Sequence, residues 1–230
     1  METVNAWIVD SGVNPDLFVL DYLDGKSARL GRTNDGSPHS GGARISRDSI
    51  GCSSGFSLEN GSGSTTYSMT AAHCGSGTWV SGPYTFSTIT WIPSYPTIDL
   101  ARLAGSAYTN MTYSADNDYT AREVVAAGNP ANGYIYCNYG ASSRRSCFTQ
   151  VYSGQTYCDE AGCTKYLSVG YNSGSVIGAP GDSGGPIVKE SGEDAKARGS
   201  VVAGTEYGTY LWYHVTSTIQ GNLGVWVQTD

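Results

Sequence analysis

Three short stretches hold the residues whose types could do chemistry together. Ser183 lies in Gly181-Asp182-Ser183-Gly184-Gly185-Pro186, His73 in Thr70-Ala71-Ala72-His73-Cys74, and Asp99 between them in Thr97-Ile98-Asp99-Leu100-Ala101. A serine hydroxyl is a weak nucleophile at neutral pH. It needs a base to take its proton and fixed N–H donors to hold the oxyanion that forms after attack. The glycines around Ser183 allow a tight turn that aims backbone N–H groups at that oxyanion. His73 is the candidate base, and Asp99 is the acid that would orient its ring. The chemistry this set implies is acyl transfer.

Strands must position these residues. The chain holds 31 Gly and 17 Tyr among 230 residues, with 14% charged, which suits many short strands joined by tight turns. Apolar and polar residues alternate in 55–58, 66–70, 77–80 and 87–92, with turn signals between them. A second set covers 124–126, 134–137, 147–152, 186–188, 200–203 and 210–215. His73 would follow a strand in a short helical turn. Residues 216–223 read as a short helix capped by a serine or threonine at its start.

The motifs TAAHC, D-L-A and GDSGGP, in that order, resemble the chymotrypsin-like serine peptidases, most closely the secreted actinobacterial streptogrisin and α-lytic-type branch. The order histidine, aspartate, serine is the one known for chymotrypsin. The likeness covers roughly Gly41 to the C-terminus. It implies an all-β fold of two antiparallel β-barrels of the chymotrypsin type, the active site between them and a short C-terminal helix behind. The expected domains are residues 41–115 and 116–230, after a segment 1–40. That segment reads either as a pro-segment remnant plus linker or as an N-terminal strand packed on the body. Its apolar runs Ala6–Asp10 and Leu17–Asp21, around Asn14-Pro15-Asp16, could form a hairpin.

Under this resemblance Ser183, His73 and Asp99 are catalytic, and the N–H groups of Gly181 and Ser183 form the oxyanion hole. Ile177, Pro180, Val202, Ala203 and Gly204 line the substrate site. The run 175–180 carries no acid or base, which favours an uncharged residue before the cut. Relatives usually carry serine where Val202 stands, donating to the catalytic aspartate. They also pair the aspartate before the nucleophile with an internal arginine at the position of Asn138. Arg122, Arg144 and Arg145 are the substitutes that could partner Asp182 in its place, with no choice among them. His39 and His214 read as structural.

Six cysteines allow 15 pairings. Cys52–Cys74 is implied by the resemblance, while Cys137–Cys147 and Cys158–Cys163 follow from closeness in sequence. Disulfides point to an oxidising compartment and a secreted protein. No signal peptide opens the chain, which suggests a processed or truncated form. No Cys-x-x-Cys or His-x-x-x-His spacing suggests a metal, and no cofactor is expected. A net charge of −7 argues against nucleic-acid binding, and no apolar run is long enough to span a membrane. The expected partner is a polypeptide substrate and the expected state a monomer. The reading is a secreted serine endopeptidase. A catalytically weak protease-like binding module and an esterase-like acyl hydrolase are the alternatives.

Overall fold

The computed structural model describes residues 21–23, 26–28, 30–105, 107–114, 117–205 and 207–229. It divides into a unit of residues 1–30 and a unit of residues 31–230. In the first, an antiparallel pair is described, β1 (Asp21–Leu23) and β2 (Lys26–Ala28). The expected hairpin of the runs Ala6–Asp10 and Leu17–Asp21 lies almost wholly outside the described residues.

The second unit holds two sheets. The strands before the site are β3 (His39–Gly41), β4 (Arg44–Arg47), β5 (Ile50–Ser53), β6 (Leu58–Glu59), β7 (Thr66–Thr70), β8 (Thr78–Ser81), β9 (Tyr84–Trp91), β10 (Ala101–Ala104) and β11 (Tyr108–Tyr113). After them come β12 (Ala121–Ala127), β13 (Ile135–Asn138), β14 (Ser146–Asp159), β15 (Gly162–Tyr171), β16 (Pro186–Ser191), β17 (Asp194–Gly204), β18 (Tyr210–Val215), helix α1 (Thr216–Leu223) and β19 (Trp226–Val227). One sheet runs β19-β6-β7-β10-β9-β8-β4-β5 and stays open. The other runs β16-β13-β14-β15-β18-β17-β12-β11-β3, and a further β16–β17 pairing closes β13 to β18 into a ring. This is the chymotrypsin-type all-β architecture with one short C-terminal helix.

Side-chain alternation explains the strands. In β17, Ala195 and Ala197 are buried while Lys196 and Arg198 are only partly so. The open sheet wraps a core of Ile45, Trp79, Phe86 and Leu103. The ring encloses Tyr136, Phe148, Ile187, Leu211 and Tyr213. Between the sheets, Leu58, Leu100 and Val188 pack with Ile219 and Leu223 of α1. Each large side chain so buried contributes about 1.5–3 kcal/mol, which clamps the two halves together along the line where the site lies.

Two expectations change here. Residues 31–40 belong to the larger unit, so the expected boundary after residue 40 falls inside it. Arg32 is fully buried, donating to the carbonyls of Tyr139 and Gly140 at 2.9 Å each. Asp35, also buried, accepts from the His39 ring and the Tyr113 hydroxyl. The expected boundary at 115/116 lies outside the described residues. Helix α1 begins after Val215 with no side-chain cap of its own, and Asn129 Oδ1 accepts the Ser217 N–H instead. The largest omission is the long hairpin β14–β15, whose tip carries the Cys158–Cys163 bridge across register partners.

Candidate active site

Strand β7 ends at Thr70, and a 3₁₀ turn over Ala72–Cys74 presents the His73 ring. Cys52–Cys74 pins that turn to β5. The carboxylate of Asp99, only 3% exposed, accepts the His73 main-chain N–H at 2.8 Å and faces Nδ1 at 2.6 Å. On the far side of the ring, Nε2 lies 2.8 Å from Ser183 Oγ. The three residues that the sequence singled out therefore form one hydrogen-bonded chain. With Nδ1–H held by the carboxylate, Nε2 is left as the acceptor for the serine proton.

Burial alone would push the His73 imidazole down. The hydrogen bond and charge of Asp99, with a further contribution from Asp159, outweigh it and hold the ring above its usual pKa. Val202, standing where relatives carry serine, has no side-chain donor to offer Asp99. Support comes from a residue read as merely structural. His214 is fully buried, and its Nε2 accepts the Asp99 main-chain N–H at 3.0 Å. Its proton must then sit on Nδ1, which has no partner among the described residues. Burial, partly offset by Asp99, pushes His214 down to about 4, so it stays neutral.

The turn carrying Ser183 is docked on β5 of the opposite sheet. Ser53 donates its N–H to the Ser183 carbonyl at 2.8 Å and its hydroxyl to the Gly181 carbonyl at 2.7 Å. Gly184, at φ +85°, must be glycine: a Cβ there would lie 2.3 Å from Thr70 Oγ1 and 2.6 Å from the Ser53 carbonyl oxygen. Gly181 also has a positive φ, +97°. The Asp182 and Gly185 N–H groups bond locally, to the carbonyls of Ala179 and Asp182, and the Gly184 N–H donates to the Val201 carbonyl on β17. The N–H groups of Gly181 and Ser183 are left without acceptors among the described residues, as an oxyanion hole requires.

The buried Arg32 lies within electrostatic reach of Asp182. The Nδ2 of Asn138 donates to it at 3.0 Å, and the N–H groups of Ser142, Ser143 and Ala179 donate at 2.9 Å each. Of the substitutes, Arg145 pairs with Glu190, Arg144 lies 3.3 Å from Asp118, and Arg122 donates to the Gly192 carbonyl. Four donors satisfy the buried carboxylate, and the charge of Arg32 acts on it from nearby.

Two cavities meet at the end of β17. One, of about 660 Å³, is bounded by Val176, Pro180, Val201, Ala203, Tyr207 and Leu211, with Ser183 at its mouth. No charged side chain lines it among the described residues. Of the expected substrate residues, Pro180, Ala203 and Gly204 line it. Val202 lines the other cavity, and Ile177 lines neither. The Ile177 side chain is buried in the ring core, because the segment turns its neighbours Val176 and Gly178 toward the cavity instead. The second cavity, of about 260 Å³, lies beside His73 and includes Tyr95, Tyr157 and Asp159, which sequence reasoning missed.

All six cysteines are paired as expected, Cys137–Cys147 being the third bridge. Among the described residues, two groups are close enough to hold an ion, Cys52, His73 and Cys74, and Cys137, Cys147 and Glu190. Their sulfurs are bonded to each other, so neither group offers a thiolate.

The sequence matches no protein-family model. Among solved structures, it is similar to protease A of Thermobifida fusca, at 25% identity and a TM-score of 0.69 over 83% of this chain and 98% of that one. Nocardiopsis protease matches at 24% identity and a TM-score of 0.70, over 83% of this chain and 98% of that one. A homologue of α-lytic protease, N4, matches at 18% identity and a TM-score of 0.66, over 82% of this chain and 98% of that one.

Proposed function

We propose that this chain, whose fold is that of the chymotrypsin-like serine proteases of the actinobacterial branch, is a secreted serine endopeptidase cutting after an uncharged, large apolar residue. One observation carries the reading. Asp99, His73 and Ser183 are joined at 2.6 and 2.8 Å beside two unused N–H groups and a cavity with no charged side chain among the described residues.

The mechanism follows from those atoms. Ser183 Oγ attacks the peptide carbonyl carbon as its proton passes to His73 Nε2. The carbonyl oxygen becomes an oxyanion, which the N–H groups of Gly181 and Ser183 receive. Asp99 holds the ring in the required tautomer and stabilises the imidazolium. His73 then gives the proton to the leaving amine, and the acyl group stays on Ser183. Water, deprotonated by His73, attacks the ester and returns the serine. The apolar cavity beside Ser183 would hold the side chain preceding the cut, with Leu211 and Val201 on its walls.

Secretion is supported by three disulfides, which persist in oxidising compartments. No helix among the described residues is long and apolar enough to cross a membrane. A polypeptide substrate and a monomeric state complete the proposal, as do two barrel domains meeting at the site.

A fluorophosphonate probe tests it. It should add its mass to Ser183, and Ser183→Ala should abolish labelling and lower peptide turnover about 10⁶-fold with the fold intact. Folded protein that neither labels nor cuts peptides would sink the reading in favour of a binding module. Turnover of simple esters without peptides would favour an acyl hydrolase.

A further inference from the structure

Among the described residues, the second cavity gives the site a charge that the first one lacks. Strand β17 outruns its partner β16: their pairing ends at Pro186–Ser200, while β17 continues beside β18 to Gly204–Leu211. The edge at 202–204 is thus open to a substrate strand, which would pair there as an added β-strand. Successive side chains of a strand point to opposite sides. With one in the apolar cavity next to Ser183, the residue before it turns over His73 and into the smaller cavity. Both cavities share Ala203 and Gly204 as a wall.

That smaller cavity is built by the disulfide-tipped hairpin. Thr164 Oγ1 donates to the Pro96 carbonyl at 2.8 Å and the Lys165 N–H to the Thr97 carbonyl at 3.0 Å. These bonds fix the hairpin to the segment that leads into Asp99. Asp159 sits at the turn, one oxygen accepting the Ala161 N–H at 2.9 Å. No cation pairs with it among the described residues, and no lysine or arginine lines the cavity among them. Tyr157 is held against Trp212, with ring centroids 5.4 Å apart, and Tyr95 supplies a second aromatic wall. A carboxylate flanked by two tyrosine rings suits an ammonium or guanidinium group.

We propose that the cavity between His73 and Asp159 is a subsite for a Lys or Arg side chain on the residue immediately before the one that fills the apolar pocket. The proposal rests on the endopeptidase reading and adds to it a substrate class: peptides with a basic residue followed by an apolar one at the cut. The field of Asp159 already reaches this space. On His73, burial opposes the charged ring, Asp99 outweighs burial, and Asp159 adds to Asp99.

The test uses the whole chain and fluorogenic peptides identical except for that one residue, set to Lys, Ala or Glu. We expect kcat/KM for Lys to exceed that for Ala by about fivefold or more, with Glu below Ala. Asp159→Asn should draw the Lys/Ala ratio toward one, whereas Glu160→Gln, one residue along, should leave it. On the unaltered protein, raising salt to about 0.5 M should shrink the ratio, since exposed charges are screened. Equal rates for Lys and Ala overturn the proposal while leaving the peptidase reading standing. So does a preference that neither salt nor Asp159→Asn reduces. Absence of all cleavage and labelling takes both readings down.

Discussion

Two buried aspartates flank the nucleophile, and they are held in opposite ways. Asp182 receives four donors, one side chain and three main-chain N–H groups, all from the half of the chain that also carries Ser183. Among the described residues, Asp99 receives its side-chain hydrogen bonds from His73 alone. Its own backbone is braced from the other half by His214. A carboxylate wrapped in amides is a fixed anchor that shapes a turn. One left with a single partner keeps its charge directed at that partner. On the proposed function, the first arrangement would build the oxyanion site and the second would tune a base.

Four measurements would break or sharpen that contrast. The largest effect should come from Asp99→Asn, which keeps the shape but favours the wrong imidazole tautomer. Turnover should fall about 10⁴-fold with little change in melting temperature. Asp182→Asn places a donor among four donors. It should cost about 10²–10³ in turnover through the distorted turn and also lower the melting temperature. If the two variants gave the same pattern, the distinction between anchor and tuner would be wrong.

The third prediction concerns the brace. The folded pKa of His214, about 4, lies below its ordinary value of 6.5. Between these values the unfolded chain binds a proton that the folded chain refuses, so stability falls as pH falls through that window. The loss should reach about 3 kcal/mol by pH 4. His214→Gln keeps an acceptor for the Asp99 N–H without titrating, so denaturant melts at pH 7 and pH 4.5 should differ less than in the parent. The smallest effect is on the pH profile. His73 must be neutral to take the serine proton, and its pKa is raised, so kcat/KM should climb through a midpoint above 6.5. Asp159→Asn removes a raising influence and should move that midpoint slightly down.

The contrast also explains what could be read in advance. His73, Asp99 and Ser183 were legible because their chemistry needs those residue types inside small-residue turns, and Gly184 has no room for any other side chain. The short-range bridges were legible because Cys137 and Cys147, and Cys158 and Cys163, are register partners on adjacent strands. The partners of Asp182 were not, because three of the four are backbone groups, which every residue but proline carries. His214 was hidden inside the apolar run of β18, and Arg32 inside a polar stretch that resembled a linker. Ile177 was misplaced because an irregular segment has no period from which its direction could be taken.

The order of residues along the chain therefore determined the reactive groups, the strand-rich class and the oxidised cysteines. Each of these depends on side-chain type or on neighbours a few positions away. Which groups face each other across 26 to 110 positions of chain was decided only when the sheets closed on a common core. So were the fourfold cage around Asp182, the His214 brace and the acidic pocket beside His73. Burial and hydrogen bonding at those sites are properties of distances that the linear order does not contain.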